Sequence, residues 1–136
     1  MPQYHCLVQQ NRLSAKQKSA LAQAITTIHS QVTGAPQHFV HVIFHEVPPC
    51  DWYTASEVSR FSIVNAYIRA GRTDQQKAEL MSQISLCWSE ITGQAERELV
   101  VTITDLRPEH WMEAGHLMPQ AGEEKDWFAR LGLPFS

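Results

Sequence analysis

The chain has 136 residues, 43% of them hydrophobic, and a formal net charge of −3. One domain of this length buries roughly two-thirds of its unfolded surface, and a mildly acidic balance offers no footprint for nucleic acid or an anionic membrane surface. No apolar run approaches the ~20 residues of a bilayer span, no basic stretch leads into an apolar one at the N-terminus, and the three cysteines form no CxxC, so a cytoplasmic protein with reduced thiols is expected.

In chain order, MPQYHCLVQ predicts a strand over residues 3–8 with Pro2 just ahead of it. Proline has no N–H for a ladder and belongs at a first strand position or an edge. SAKQKSALAQAITTIHSQVTG predicts a helix: Ser14 is a plausible N-cap, Leu21, Ile25, Ile28 and Val32 recur at helical spacing, and Gly34 stops it. QHFVHVIFHEV predicts a strand over 39–47, and residues 48–59 link to a third strand over 61–68. Thr73 and Gln76 stand at capping-box spacing. They open a second helix with Leu80, Ile84 and Ile91 on its stripe and Gly93 at its end. A last strand is expected over 99–106. Residues 107–136 scatter Pro, Gly, Trp and Phe irregularly, and are read as a covering or subunit-contacting segment without a counterpart earlier in the chain.

The two halves repeat. SAKQKSALAQAITTIHSQVTG and TDQQKAELMSQISLCWSEITG align without gaps at an offset of 59, so that Gln17 meets Gln76, Lys18 meets Lys77, Leu21 meets Leu80 and Thr33-Gly34 meets Thr92-Gly93. The chain is expected to be a single domain over 1–136 with repeat halves at about 2–47 and 61–106. Each half reads strand, helix, strand. Such a unit has parallel strands and a right-handed crossover. Joining two of them antiparallel through their first strands gives an α/β (α+β) fold: a four-stranded mixed sheet of order 2-1-3-4 with two helices on one face.

An internal repeat makes each half a control for the other. Pro2 aligns with Phe61, His29 with Trp88, Arg69 with Gln10 and Arg72 with Leu13. The fold needs none of these polar groups, because its other copy lacks them. With the expected strand order, the start of the first strand, the end of the first helix and the end of the third strand meet at one end of the sheet. There Arg69 and Arg72 flank a helix N-terminus, a suitable grip for a carboxylate. A Pro2 exposed by removal of Met1 would carry a free secondary amine, and nearby cations and burial both lower an amine pKa toward neutrality, where it can move protons.

These residues carry a resemblance. The N-terminal MP, QAITTIHSQVTG, QHFVHVIFHE, RAGR and EAGHLMPQAGEEKDWF, in this order, resemble the tautomerase superfamily and, within it, the cis-3-chloroacrylic acid dehalogenase-like group. The resemblance implies a βαβ repeat assembled as a homotrimer, with Pro2 as catalytic acid or base, His29 helping to hold substrate, Arg69 and Arg72 binding its carboxylate, and Glu113 orienting or activating water. Where the dehalogenases use a tyrosine, this chain has Thr102, shorter and less acidic than a phenol. The expected activity is therefore cofactor-independent tautomerisation of small enol or 2-oxo carboxylates, with room for a low hydratase or dehalogenase activity.

Plainer readings stand beside these. Pro2 can be a strand opener, His29 a helix-end residue favoured by the dipole, Arg69 and Arg72 surface charges, and Glu113 a solvated acid. The whole can be a non-catalytic trimeric module that keeps a carboxylate pocket. No metal is expected from HFVHVIFHE: His41 and His45 share a strand face but lie roughly 13 Å apart, too far for one tetrahedral ion, and His38 is expected on the other face.

Overall fold

The computed structural model describes residues 2–135. Strands β1 (Gln3–Gln9) and β2 (His41–Val47) flank helix α1 (Ala15–Thr33), and β5 (Ser62–Arg69) and β6 (Leu99–Leu106) flank α2 (Asp74–Thr92). Within each half the strands are parallel. The halves join antiparallel through β1 and β5, giving the sheet order β2-β1-β5-β6. This is the expected α+β architecture, with both helices packed on one face.

The helices form where the sequence caps them. Ser14 and Gln17 close a capping box on α1, Thr73 and Gln76 close its twin on α2, and Gly34 and Gly93 end the two helices at φ 76 and 77, left-handed values that glycine adopts without a Cβ penalty. The core lies between helices and sheet. Tyr4, Cys6 and Val8 of β1 and Val64, Ala66 and Ile68 of β5 alternate inward to meet Leu21, Ile25, Ile28, Leu80, Ile84 and Trp88. Even a surface ion pair is duplicated: Lys18 to Glu46 and Lys77 to Asp105.

Two features differ from the sequence expectations. The second strand starts at His41, not at residue 39, because Gln37–Phe39 form a single 3-10 turn after Pro36; His38 therefore lies off the strand altogether. The repeat also runs further than residues 47 and 106. After β2 come a 3-10 turn and a two-residue hairpin, β3 (Tyr53–Thr54) with β4 (Glu57–Val58). After β6 come the same turn and hairpin, β7 (Met112–Glu113) with β8 (His116–Leu117). Ser59 N–H bonds to Trp52 O at 2.9 Å, and Met118 N–H bonds to Trp111 O at 2.9 Å. The covering segment thus begins as a second copy of the linker, and only the stretch after Met118 is new. That remainder carries helix α3 (Glu124–Leu131). Trp127 and Phe128 of α3 pack with Trp111 and Met118, against Phe39, Tyr67 and Leu106, at the β5–β6 end of the sheet.

Candidate active site

Four of the sequence-derived residues lie at one end of the sheet. Pro2 precedes β1 and is fully buried. Its carbonyl accepts the His41 N–H at 3.0 Å. One step inward, Gln3 pairs with Tyr67, so the start of β1 and the end of β5, which carries Arg69, are at the same level. The expected removal of Met1 concerns a residue outside those described.

His29 sits in the last turns of α1, 3% exposed. Its Nδ1 is 2.7 Å from the Tyr4 hydroxyl. Burial first, and then the Arg72 and Arg69 guanidiniums, push its imidazole down to about 3. Burial likewise drives the Tyr4 phenol well above its ordinary range. Both groups are neutral at pH 7. The tautomer in which Tyr4 donates to Nδ1 carries the ring proton on Nε2 and offers a neutral donor rather than a positive charge.

The arginines follow from the turn that ends β5. Arg69 closes the strand, Gly71 takes φ 114 and Arg72 leads into α2. Arg69 Nη1 donates to the carbonyls of Pro119 (2.7 Å) and Gln120 (3.3 Å). Arg72 Nη1 donates to the Thr33 carbonyl at the C-terminal end of α1 (3.0 Å). The Nη2 groups of both converge on one oxygen, Oε1 of Glu124 in α3, with Arg72 at 3.0 Å. The three side chains are 2, 8 and 6% exposed. Burial alone would raise the Glu124 carboxyl, but its own backbone N–H and the two guanidiniums outweigh this and hold it below the usual range. The sequence reading missed Glu124. A signal was there: Glu124, Trp127 and Phe128 fall at i, i+3 and i+4, one helix face, and an acid on the same face as two aromatics needs a buried cationic partner.

Glu113 reaches the same end from the second hairpin. Its Oε2 lies 3.0 Å from His41 Nε2, and the backbone of that histidine bonds to Pro2. Thr102 does not join the cluster within one chain. It pairs with Asn65 four residues short of the Arg69–Leu106 pair, roughly 13 Å along the strands, and donates to Asn65 Oδ1 at 2.6 Å on the face away from the helices. His45, from the rejected metal run, stacks on His5 with Nε2 to Nδ1 2.8 Å. No group of three or more metal-ligating side chains occurs among the described residues.

The corresponding end of the other half is filled for packing. Trp88 stands where α1 has His29, 1% exposed, with its Nε1 donating to Gln94 Oε1 at 2.9 Å. Leu13, aligned with Arg72, is buried too. The repeat therefore carries one cationic end and one end without a cation among these counterparts, where Trp88 and Leu13 are buried and Gln94 binds Trp88 and Ser62.

Comparison with known proteins places these observations. A family model described as "Putative oxalocrotonate tautomerase enzyme" matches residues 1–130. The chain is 40% identical over 45 residues to 2-hydroxymuconate tautomerase of Bacillus subtilis (strain 168), a stretch covering 33% of this chain and 73% of that protein, about one half of the repeat. Among solved structures it resembles N1, a member of the cis-3-chloroacrylic acid dehalogenase family, with TM-score 0.91 and 28% identity over 97% of this chain and 92% of that one. It also resembles a fused 4-OT symmetric trimer, with TM-score 0.80 and 27% identity over 88% of this chain and 97% of the other.

Proposed function

The chain belongs to this tautomerase family, and from that premise we propose that it is a cofactor-independent tautomerase of small enol or 2-oxo carboxylates, working through the nitrogen of Pro2 once Met1 is removed. The observation that carries this reading is the asymmetry of the two ends: Pro2, His29, Arg69 and Arg72 gather at one, whereas at the other Trp88 and Leu13 are buried in packing, Gln10 is exposed and none of the counterparts is a cation.

In the proposed mechanism the substrate carboxylate is held by the guanidinium edges of Arg69 and Arg72 not taken by protein acceptors. The neutral Pro2 nitrogen takes the enol O–H proton, and the resulting ammonium returns it to carbon, giving the ketone. Negative charge builds on the substrate oxygen between these steps. The His29 Nε2–H and the arginines are fixed donors for it in a dry setting, where such donors act most strongly. Glu113, beside His41, is assigned the orientation of water in a low hydratase activity. Thr102 lacks a phenol, which favours ketonisation over dehalogenation, since ketonisation needs no attacking water. Assembly as a homotrimer belongs to the same reading and is supported by the likeness to the fused 4-OT trimer.

The alternative, a non-catalytic carboxylate-binding module, is favoured by one observation: both arginines already hold a carboxylate, that of Glu124. The test separates the two. Ketonisation of phenylenolpyruvate, followed by ultraviolet absorbance, is expected to fall at least a hundredfold in Pro2→Ala, with the intact mass of the wild type lacking Met1. Equal rates for the two proteins discard the proline mechanism, and rates no faster than the uncatalysed background in both leave only the binding module.

A further inference from the structure

The arginine pair has a resident anion, and the count of charges around it has a consequence for substrate choice. Two guanidiniums and one carboxylate, all at most 8% exposed on their side chains, sum to a single positive charge. His29 adds nothing at pH 7, because burial and the guanidiniums push its imidazole far below that. Glu124 is also fixed in place. Its helix is anchored three and four residues on by Trp127 and Phe128, 5 and 1% exposed, and the turn that carries the arginines presses on the residues just before it: a Cβ on Gly71 would stand 2.9 Å from Ala121 Cβ. The carboxylate belongs to the site and is not a passing surface contact.

We propose that Glu124 is the specificity-determining residue of the arginine site: it supplies one of the two carboxylates that the pair can balance, so the site takes a ligand with one carboxylate and disfavours short dicarboxylates. The inference rests on Arg69 and Arg72 being the substrate anchor. Charge in a water-poor setting is weakly screened, so a second anionic group on the ligand meets Glu124 as a like charge with no cation left over. Replacing Glu124 by glutamine keeps the size and one carbonyl acceptor for the guanidiniums. It leaves the pair with two positive charges for ligand carboxylates to balance. A purely structural tie between α3 and the arginines predicts something else: all anions weaken together and their ratio stays put.

The experiment needs binding only, and so is independent of Pro2 chemistry. Propionate and malonate are titrated against wild type and Glu124→Gln at low salt and pH 7, with binding read by chemical-shift changes. Wild type is expected to bind propionate at least as tightly as malonate. In Glu124→Gln the malonate-to-propionate affinity ratio is expected to rise at least fivefold; a smaller rise overturns the proposal. Should Glu124→Gln not fold, the wild type decides: malonate binding fivefold tighter than propionate is sufficient to refute the charge count, and the reverse order supports it. Arg72→Met, titrated alongside, tests the anchor. If propionate binding is unchanged there, the anchor reading fails and takes the proposal with it.

Discussion

A histidine 3% exposed, bonded at Nδ1 to a buried phenol and facing two guanidiniums, has little reason to accept a proton. That has a measurable cost at low pH. The unfolded chain protonates His29 near its ordinary ~6.5, whereas the folded chain resists until about 3. Between those values the unfolded state binds more protons, so stability rises with pH. The contribution is complete above about 6.5 and is lost as pH falls toward 3. The slope from this one group approaches about 1.4 kcal/mol per pH unit in the middle of the window. Urea melts at pH 7.0, 6.0 and 5.0 are expected to show the wild type losing stability over this range and His29→Gln losing about 1 kcal/mol less per pH unit. The difference between the two proteins is the readout, because His5 is also shifted down by burial and by His45. Parallel curves would mean that His29 titrates in the folded chain as it does in the unfolded one, and a steeper loss in His29→Gln than in wild type would return it to the role of a cationic ligand for the substrate.

The turn between β5 and α2 is the element on which the site depends. RAGR was legible as an arginine pair ahead of a capped helix, and the cap that follows it, Thr73 with Gln76, could be read from local spacing because capping is a local interaction. The residues that press on the turn were not legible. The contact of Gly71 with Ala121 and the reach of Glu124 back to both arginines join residues about fifty positions apart, and no periodicity encodes that. The repeat, which exposed His29 and the arginines by contrast with Trp88, Gln10 and Leu13, was silent here because nothing in the first half corresponds to α3. The second hairpin has a counterpart and was missed for another reason: only Trp52 with Trp111 and Ala55 with Ala114 persist across it, too few matches to stand out, although Ala55 and Ala114 both take positive φ, 52 and 54. Gly71→Ala tests the turn. It places a side chain at φ 114 and 2.9 Å from Ala121 Cβ, so a loss of about 1–3 kcal/mol in thermal or urea melts is expected. Adding Ala121→Gly relieves the contact but not the backbone strain, and is expected to restore part of the loss. No restoration would mean that the tail does not bear on the turn.

At the scale of the whole molecule, the helices cover one face of the sheet and leave the other to be accounted for. Ile43 of β2 and Val100 of β6 are 37 and 39% exposed on that face. The hairpins add four large apolar side chains: Tyr53 and Val58 on the first, Met112 and Leu117 on the second, 51 to 63% exposed. Single exposed hydrophobics are ordinary. Here the same two hairpin positions are exposed in both halves of a repeat, and such recurrence points to a surface that meets something. The proposed homotrimer would give these residues a role, if three copies brought the open sheet faces together and set each hairpin against a neighbour. It also offers Thr102, which stands apart from the arginines within one chain, a neighbour's site to face. Sedimentation velocity is expected to find wild type at three times the monomer mass, and Val58→Lys with Leu117→Lys at the monomer mass. The double variant should keep its helical circular dichroism, since neither residue touches the core between helices and sheet. Because burying a lysine without a partner is costly, a double variant that still ran as a trimer would place both hairpins outside the interface. A wild type that ran as a monomer would remove the trimer from the proposal and leave Pro2, His29 and the arginines to act within one chain.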